Sequence, residues 1–460
     1  MGRSRGVDHE ALSSSRSPSS PSAGRPDPLE LLRSRSYLAL LVFGAVVGVV
    51  VAFVAYFFLK GVAEVQEYVF ATLPHEVGFS TEPVWWPLPW PALAGLLVAL
   101  TIRYLPGSAG HKPAEGFKTG GPVLPLELPG IALASLATLC LGVVLGPEAP
   151  LIAIGGGLGV LAVHLAKKDA PTQAITVIAA AGGFAAISTL LGSPLVGAFL
   201  LMEIAGLAGP MLGVVLVPGL LAAGVGSLIF VGLDAWTGFG TFSLAIPTIP
   251  PIGSPTGVEF VWAIAIGVIA AALGTAIRKL GLFLQPVVER QILTLTPVTG
   301  LAVAGLAIAF AEVTGRSSSE VLFSGQNQLP SLIEGAAGWS VGALVLLVAC
   351  KGLAYGLSLS CFRGGPTFPA LFIGAAGGIA LSHAPGLPMI AGAGMGIGAM
   401  SVTMLNLPLT SVLLVSVFLE ADALSLMPIV IVAVVVAYVT SARLSPPKTA
   451  NPAPAVSTAS

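Results

Sequence analysis

A chain of 460 residues with 55% hydrophobic and 9% charged positions, and a mean hydropathy of +0.94, is too apolar for a soluble protein, where roughly a quarter of residues are charged. It reads as an integral membrane protein, and its 57 glycines and 37 prolines imply broken or re-entrant helices rather than plain spans. A formal net charge of -1 leaves no basic field for phosphate backbones, which sets nucleic acid aside as a partner.

Residues 1–36 are rich in serine, proline and arginine and are expected to form a disordered arm. The run from Tyr37 to Leu59 has about the ~20 residues that cross a bilayer, and the arginines before it put the N-terminus in the cytoplasm. Arg103, Lys167, Lys168, Arg278, Lys279 and Arg443 mark other inner-side ends. Apolar segments follow near 90–105, 128–146, 149–166, 172–190, 194–208 and 210–232. Beyond a polar, proline-rich stretch they resume near 258–282, 291–312, 340–360, 367–382, 387–404, 406–419 and 426–440. The expected organisation is a first membrane half (37–233), a connecting loop (234–257), a second membrane half (258–441) and a short disordered tail (442–460) with no soluble regulatory domain. Both termini are expected in the cytoplasm of a multi-pass plasma-membrane protein. At ~1.5 Å per residue, segments 194–208 and 406–419 cover only about two thirds of a ~30 Å hydrocarbon core and are expected to stop at mid-membrane. Cys140, Cys350 and Cys361 have no metal or redox spacing and read as packing residues, and no cofactor is expected.

The two halves repeat. Gly146-Pro147-Glu148-Ala149-Pro150, running on to Gly155 and Gly159, aligns without a gap on Gly365-Pro366-Thr367-Phe368-Pro369, running on to Gly374 and Gly378. Both read G-P-x-x-P-x-x-x-I-G-x-x-x-G. Further on, Ser193-Pro194-Leu195 answers Leu407-Pro408-Leu409, each at the head of a short segment. Corresponding short, Gly/Pro-interrupted segments in two halves point to a substrate site at the repeat interface.

Gly-Pro at a helix start leaves the next backbone N–H groups unpaired, with the positive end of the helix dipole behind them. Two such starts meeting at mid-membrane attract an anion without a fixed charge, and hold it weakly enough to release it. Gly107-Ser108, ahead of Ala109-Gly110-His111-Lys112-Pro113, is either a third such start with a hydroxyl donor or a plain turn. Glu148 stands out, because an ionisable side chain heading an apolar helix is costly. Its carboxylate either competes with an anion for the same N–H groups or caps its own helix.

These residues resemble the CLC family of chloride channels and proton/chloride transporters, over about Ser36 to Leu444. Gly146-Pro147-Glu148-Ala149-Pro150 is similar to the family's G-[KR]-E-G-P, Gly192–Gly197 with Glu203 to G-x-P-x-[AS]-G and its E-E pair, Gly364–Pro369 to G-G-x-F-x-P, and Asn406–Thr410 to R-A-P-L-T. The resemblance implies an all-α membrane protein with an inverted-repeat CLC-type fold. It also implies a homodimer in the lipid bilayer with one pathway per subunit for chloride or a similar small anion. It makes Glu148 the external gating carboxylate, with Ser108, Gly146, Ala149, Thr367 and Phe368 as the anion-binding set, and puts Glu148 and Glu203 on a proton pathway.

The departures carry their own expectations. Pro147 replaces the family's basic residue, and Pro366 has no N–H, so Thr367 N–H is the donor left there. The family's ion-contacting tyrosine has no counterpart after segment 426–440, where Tyr438 reads as a packing residue. The second glutamate of the E-E pair, the inner proton acceptor of transporters, falls on Ile204, while Glu203 reads as structural or as a relay. A channel-like or weakly proton-coupled anion pathway follows, with a coupled proton/chloride antiporter or a fluoride exporter as alternatives. An intramembrane enzyme using Glu148, Glu203 or His383 is the distant alternative, disfavoured because neither H-E-x-x-H nor G-x-S-x-G occurs. Gly392–Gly398 superficially resembles a nucleotide loop, but its apolar setting reads as helix packing.

Overall fold

The computed structural model describes residues 33–116, 122–206, 211–238, 255–419 and 423–445. The first half contains α1 (Arg35–Glu67), α2 (Pro89–Tyr104), α3 (Leu128–Cys140), α4 (Glu148–Ala166), α5 (Thr172–Leu191), α6 (Pro194–Ala205) and α7 (Met211–Thr237). The second contains α8 (Gly257–Arg290), α9 (Ile292–Thr314), α10 (Val341–Cys361), α11 (Thr367–Leu381), α12 (Met389–Leu405), α13 (Pro408–Leu419) and α14 (Ala423–Leu444). Eight helices of the described residues are long and apolar enough to cross a membrane.

Several expected segment boundaries shift, among them 210–232, whose helix runs on to Thr237 inside the expected connecting loop, and 194–208, whose helix ends at Ala205. The first helix begins at Arg35 and continues to Glu67, followed by a π-helical turn, Tyr68–Thr72. Segment 128–146 is helical only to Cys140, because the following residues form the turn that leads to Glu148. Segment 258–282 extends to Arg290 and tolerates Pro286 inside it. Segment 426–440 widens to Ala423–Leu444. Residues 1–32, 239–254 and 446–460 lie outside the described residues, and with them most of the expected arm, connection and tail.

Local chemistry sets the helix ends. Ser34, Ser193 and Ser340 accept the N–H groups of Tyr37, Val196 and Ala343, capping α1, α6 and α10. Gly192 ends α5 at φ +62°, and Asn406 ends α12 at φ +57°. They occupy equivalent places in the repeat, and glycine and asparagine are the residues that tolerate this left-handed conformation. Each reverses the chain into a twelve-residue helix, α6 or α13, about 18 Å long at ~1.5 Å per residue.

The repeated G-x-x-x-G has the same packing use twice. Gly155 and Gly159 of α4 lie against the carbonyls of Gly182 and Ile178 on α5, while Gly374 and Gly378 of α11 lie against those of Gly396 and Gly392 on α12. A Cβ at Gly159 would stand 2.6 Å from the Ile178 oxygen, so only glycine permits this approach. In lipid, where apolar burial drives helices together weakly, backbone contact of this kind holds the pairs. Gly392–Gly398 is thus a packing face of α12.

Candidate functional site

The two Gly-Pro turns meet. Gly146 N–H donates to the Gly365 carbonyl at 2.8 Å, and Gly365 N–H returns the bond to Gly146 at 2.6 Å, an isolated antiparallel bridge. Pro147 (φ -84°, ψ -7°) and Pro366 (φ -90°, ψ -5°) then enter α4 and α11 with nearly the same backbone. Hydroxyls from the opposite half brace the turns, Ser358 accepting from Val144 N–H at 3.3 Å and Thr138 from Arg363 N–H at 3.4 Å.

Glu148 is 1% exposed, and its Oε1 accepts the backbone N–H of Thr367. Its Oε2 and the Thr367 hydroxyl are both buried without a hydrogen-bond partner. The carboxyl group lies against the glycine pair, since a Cβ on either Gly146 or Gly365 would overlap it. A side-chain carboxylate therefore sits on the one donor the second turn retains. Ala149 and Phe368 are the second residues of α4 and α11, where backbone N–H groups lack helical acceptors. Gly146 N–H is committed to Gly365.

Of the two readings of the Ser108 loop, the turn is the one the backbone adopts. Gly107, Ala109 and Gly110 all have positive φ (74°, 55° and 96°), so no helix starts at Ser108 and the next helical turn is Pro113–Glu115. The Ser108 hydroxyl is exposed and donates to the Gly110 carbonyl at 3.2 Å. Its own carbonyl accepts Arg363 Nε at 3.0 Å.

Glu203 lies elsewhere. Its carboxylate accepts Leu409 N–H (3.0 Å), Thr410 N–H (2.8 Å) and the Thr410 hydroxyl (2.7 Å), capping the N-terminus of α13 from the end of α6. Ile204 packs half-buried against the apolar core. His383 Nδ1 is 3.1 Å from the Ile379 carbonyl, at the end of α11 away from Glu148. The three cysteines are buried and free.

Three polar residues of α10, Lys351, Tyr355 and Ser358, lie at i, i+4 and i+7 on one face, a spacing that sequence analysis passed over. Lys351 is fully buried. Its Nζ donates to the carbonyls of Glu320 (2.9 Å), Val321 (3.1 Å) and Leu322 (2.9 Å) and lies 4.4 Å from the Phe372 ring centroid. Tyr355, also fully buried, donates its hydroxyl to the Pro366 carbonyl at 2.7 Å, and Glu148 is within its electrostatic reach. A buried lysine and arginine in so apolar a chain were the available signals, since charge inside a membrane protein is expensive.

Outside the spans, burial raises the carboxyls of Glu82 and Glu320 above the usual range, Lys351 and Arg316 partly opposing this at Glu320.

Two helix starts paired through Gly146 and Gly365, with a carboxylate on the Thr367 N–H, form the kind of site that an anion-transporting membrane protein uses. The sequence profile of the voltage gated chloride channel family matches residues 94–442, and the chain belongs to that family. It is 31% identical over 366 residues to a protein named for ion transport, YfeO, of Salmonella newport (strain SL254), covering 77% of this chain and 84% of that one. The YfeO of Salmonella agona (strain SL483) matches to the same extent. In fold it is similar to a slow cyanobacterial Cl-/H+ antiporter (TM-score 0.68) and a CLC-type fluoride/proton antiporter (TM-score 0.59). Each is 20% identical, with 88% of this chain and 95% of the other covered.

Proposed function

We propose that this protein passes chloride or a similar small anion through a route that the Glu148 carboxylate closes, without stoichiometric proton exchange. The observation that carries this reading is the Glu148 carboxylate bonded to Thr367 N–H at the junction of α4 and α11. An anion competes for the same donor, and protonation weakens the carboxylate's hold by removing its charge. The passive part of the reading rests on Glu203 and Ile204. A coupled exchanger needs an inner carboxylate that exchanges protons, and Glu203 is engaged in three bonds at the head of α13 while Ile204 carries no proton.

Proton-coupled exchange is the second reading, favoured by the names of the two structural neighbours. Chloride efflux from reconstituted liposomes, with proton movement recorded together, separates them. Robust uphill proton transport driven by a chloride gradient at a fixed ratio would reject the passive route, and efflux with little proton movement supports it.

The same reading puts the protein in the plasma membrane as a homodimer. Arg35, Arg103, Arg290 and Arg443 at helix ends support a cytoplasmic N-terminus through the positive-inside rule. Leu195 and Leu409, equivalent in the repeat and 66% and 44% exposed on α6 and α13, offer apolar surface for a second copy.

A further inference from the structure

Val144 and Arg363 are equivalent in the repeat: each lies two residues before the paired glycine, and each has its N–H held by a hydroxyl of the other half. Their side chains differ completely. Where the first half carries valine, the second carries a guanidinium that is only 6% exposed. The buried charge lies within three residues of Pro366, in the turn that forms the site.

The guanidinium reaches the Ser108 loop. Nε donates to the Ser108 carbonyl (3.0 Å), and Nη1 donates to those of Cys361 (3.2 Å) and Phe362 (3.2 Å). Its carboxylate neighbours at longer range are Glu289 and Glu115. Glu289 is already paired with Lys112 at 2.6 Å and accepts from Gln285 at 3.0 Å, and Gln285 also reaches Glu115 at 3.4 Å. Among the described residues, the Nη2 N–H groups make no hydrogen bond. Three carbonyl bonds position the group without neutralising it, because arginine stays charged and a carbonyl removes no net charge.

The two Gly-Pro turns themselves are short of donors. Pro147 replaces a basic residue, Pro366 has no N–H, and Gly146 N–H is committed to Gly365. We propose that Arg363 is the fixed cation of an anion-binding site between the Gly146–Gly365 pair and Ser108, one that takes a small monovalent anion such as a halide or nitrate. This deepens the anion-transport reading and rests on it. The free Nη2 edge supplies the N–H donors, and a full charge in a low-dielectric setting attracts the anion more strongly than helix ends alone.

The test is chloride binding to the purified full chain by calorimetry, with chloride and nitrate efflux from liposomes, for wild type, Arg363→Gln and Arg363→Lys. Loss of a charged hydrogen-bond donor of ~1.5–3 kcal/mol corresponds to roughly tenfold or more in affinity. Arg363→Gln is expected to raise the half-saturating chloride concentration by at least about tenfold, and Arg363→Lys, which keeps the charge but loses the fork, by no more than about threefold. Wild-type affinity in a monodisperse Arg363→Gln protein overturns the proposal. So does an Arg363→Lys protein as weak as Arg363→Gln, because the fork to the Ser108 carbonyl would then matter rather than the charge. Should Arg363→Gln fail to fold, Arg363→Lys decides by the same threefold bound. A wild-type protein that moves neither anion rejects the transport reading itself, whereas normal wild-type efflux with an unaffected Arg363→Gln rejects only the site.

Discussion

Gly146 and Gly365, 219 positions apart, hydrogen-bond to each other in both directions at 2.8 and 2.6 Å. That pairing brings the two helix starts together and lays the Glu148 carboxyl against both glycines, which leaves no room for a side chain at either position.

Gly365→Ala is therefore expected to displace Glu148 from Thr367 N–H. Chloride efflux should rise and lose part of its pH dependence while the protein stays folded and monodisperse. A variant with wild-type efflux at every pH would show that the carboxyl group has slack the packing does not suggest.

Protonation removes the charge that strengthens the Glu148–Thr367 bond. Efflux should increase as the solution on the Glu148 side is acidified and fall as it is made alkaline. Glu148→Ala should be open throughout, faster than wild type at neutral pH by about tenfold or more if the lost bond is worth ~1.5–3 kcal/mol. Stopped-flow efflux across a pH series measures both, and a pH profile unchanged in Glu148→Ala removes Glu148 from gating.

Glu203 supplies three hydrogen bonds to the head of α13. Glu203→Ala is expected to cost about 1–2 kcal/mol, as for loss of a strong helix cap, and to lower the melting temperature in detergent without changing the proton-to-chloride ratio. A changed ratio at unchanged stability would make Glu203 a relay. Ile204→Glu alone is not expected to confer coupling.

Glu320 and Glu82 give a stability test outside the spans. Burial raises both carboxyls, so the folded state binds more protons than the unfolded one from the ordinary carboxylate range upward. Stability should fall as pH rises through that window and be fully regained below it. Glu320→Gln should flatten the slope, and thermal melts between acidic and neutral pH measure it. A slope identical to wild type would place the effect elsewhere.

Sequence alone carried what is local and repeated. The gapless match from Gly146 to Gly159 with Gly365 to Gly378 marked two helix starts, and Pro147 and Pro366 do enter α4 and α11 with the same backbone, because proline fixes φ. The short spans and the packing glycines were legible for the same reason, since length and a missing Cβ act wherever the segment lies. Sequence left Ser108 between a helix start and a plain turn, because positive φ at Ala109, a residue that usually avoids it, leaves no mark in sequence. Only the tertiary structure decided the partners of charge. Glu203 to Thr410, Arg363 to Ser108 and Lys351 to the carbonyls of 320–322 join residues from 29 to 255 positions apart. A buried charge takes whatever dipoles the packed helices bring within about 3 Å, and that choice is made by the fold as a whole rather than by the neighbouring sequence.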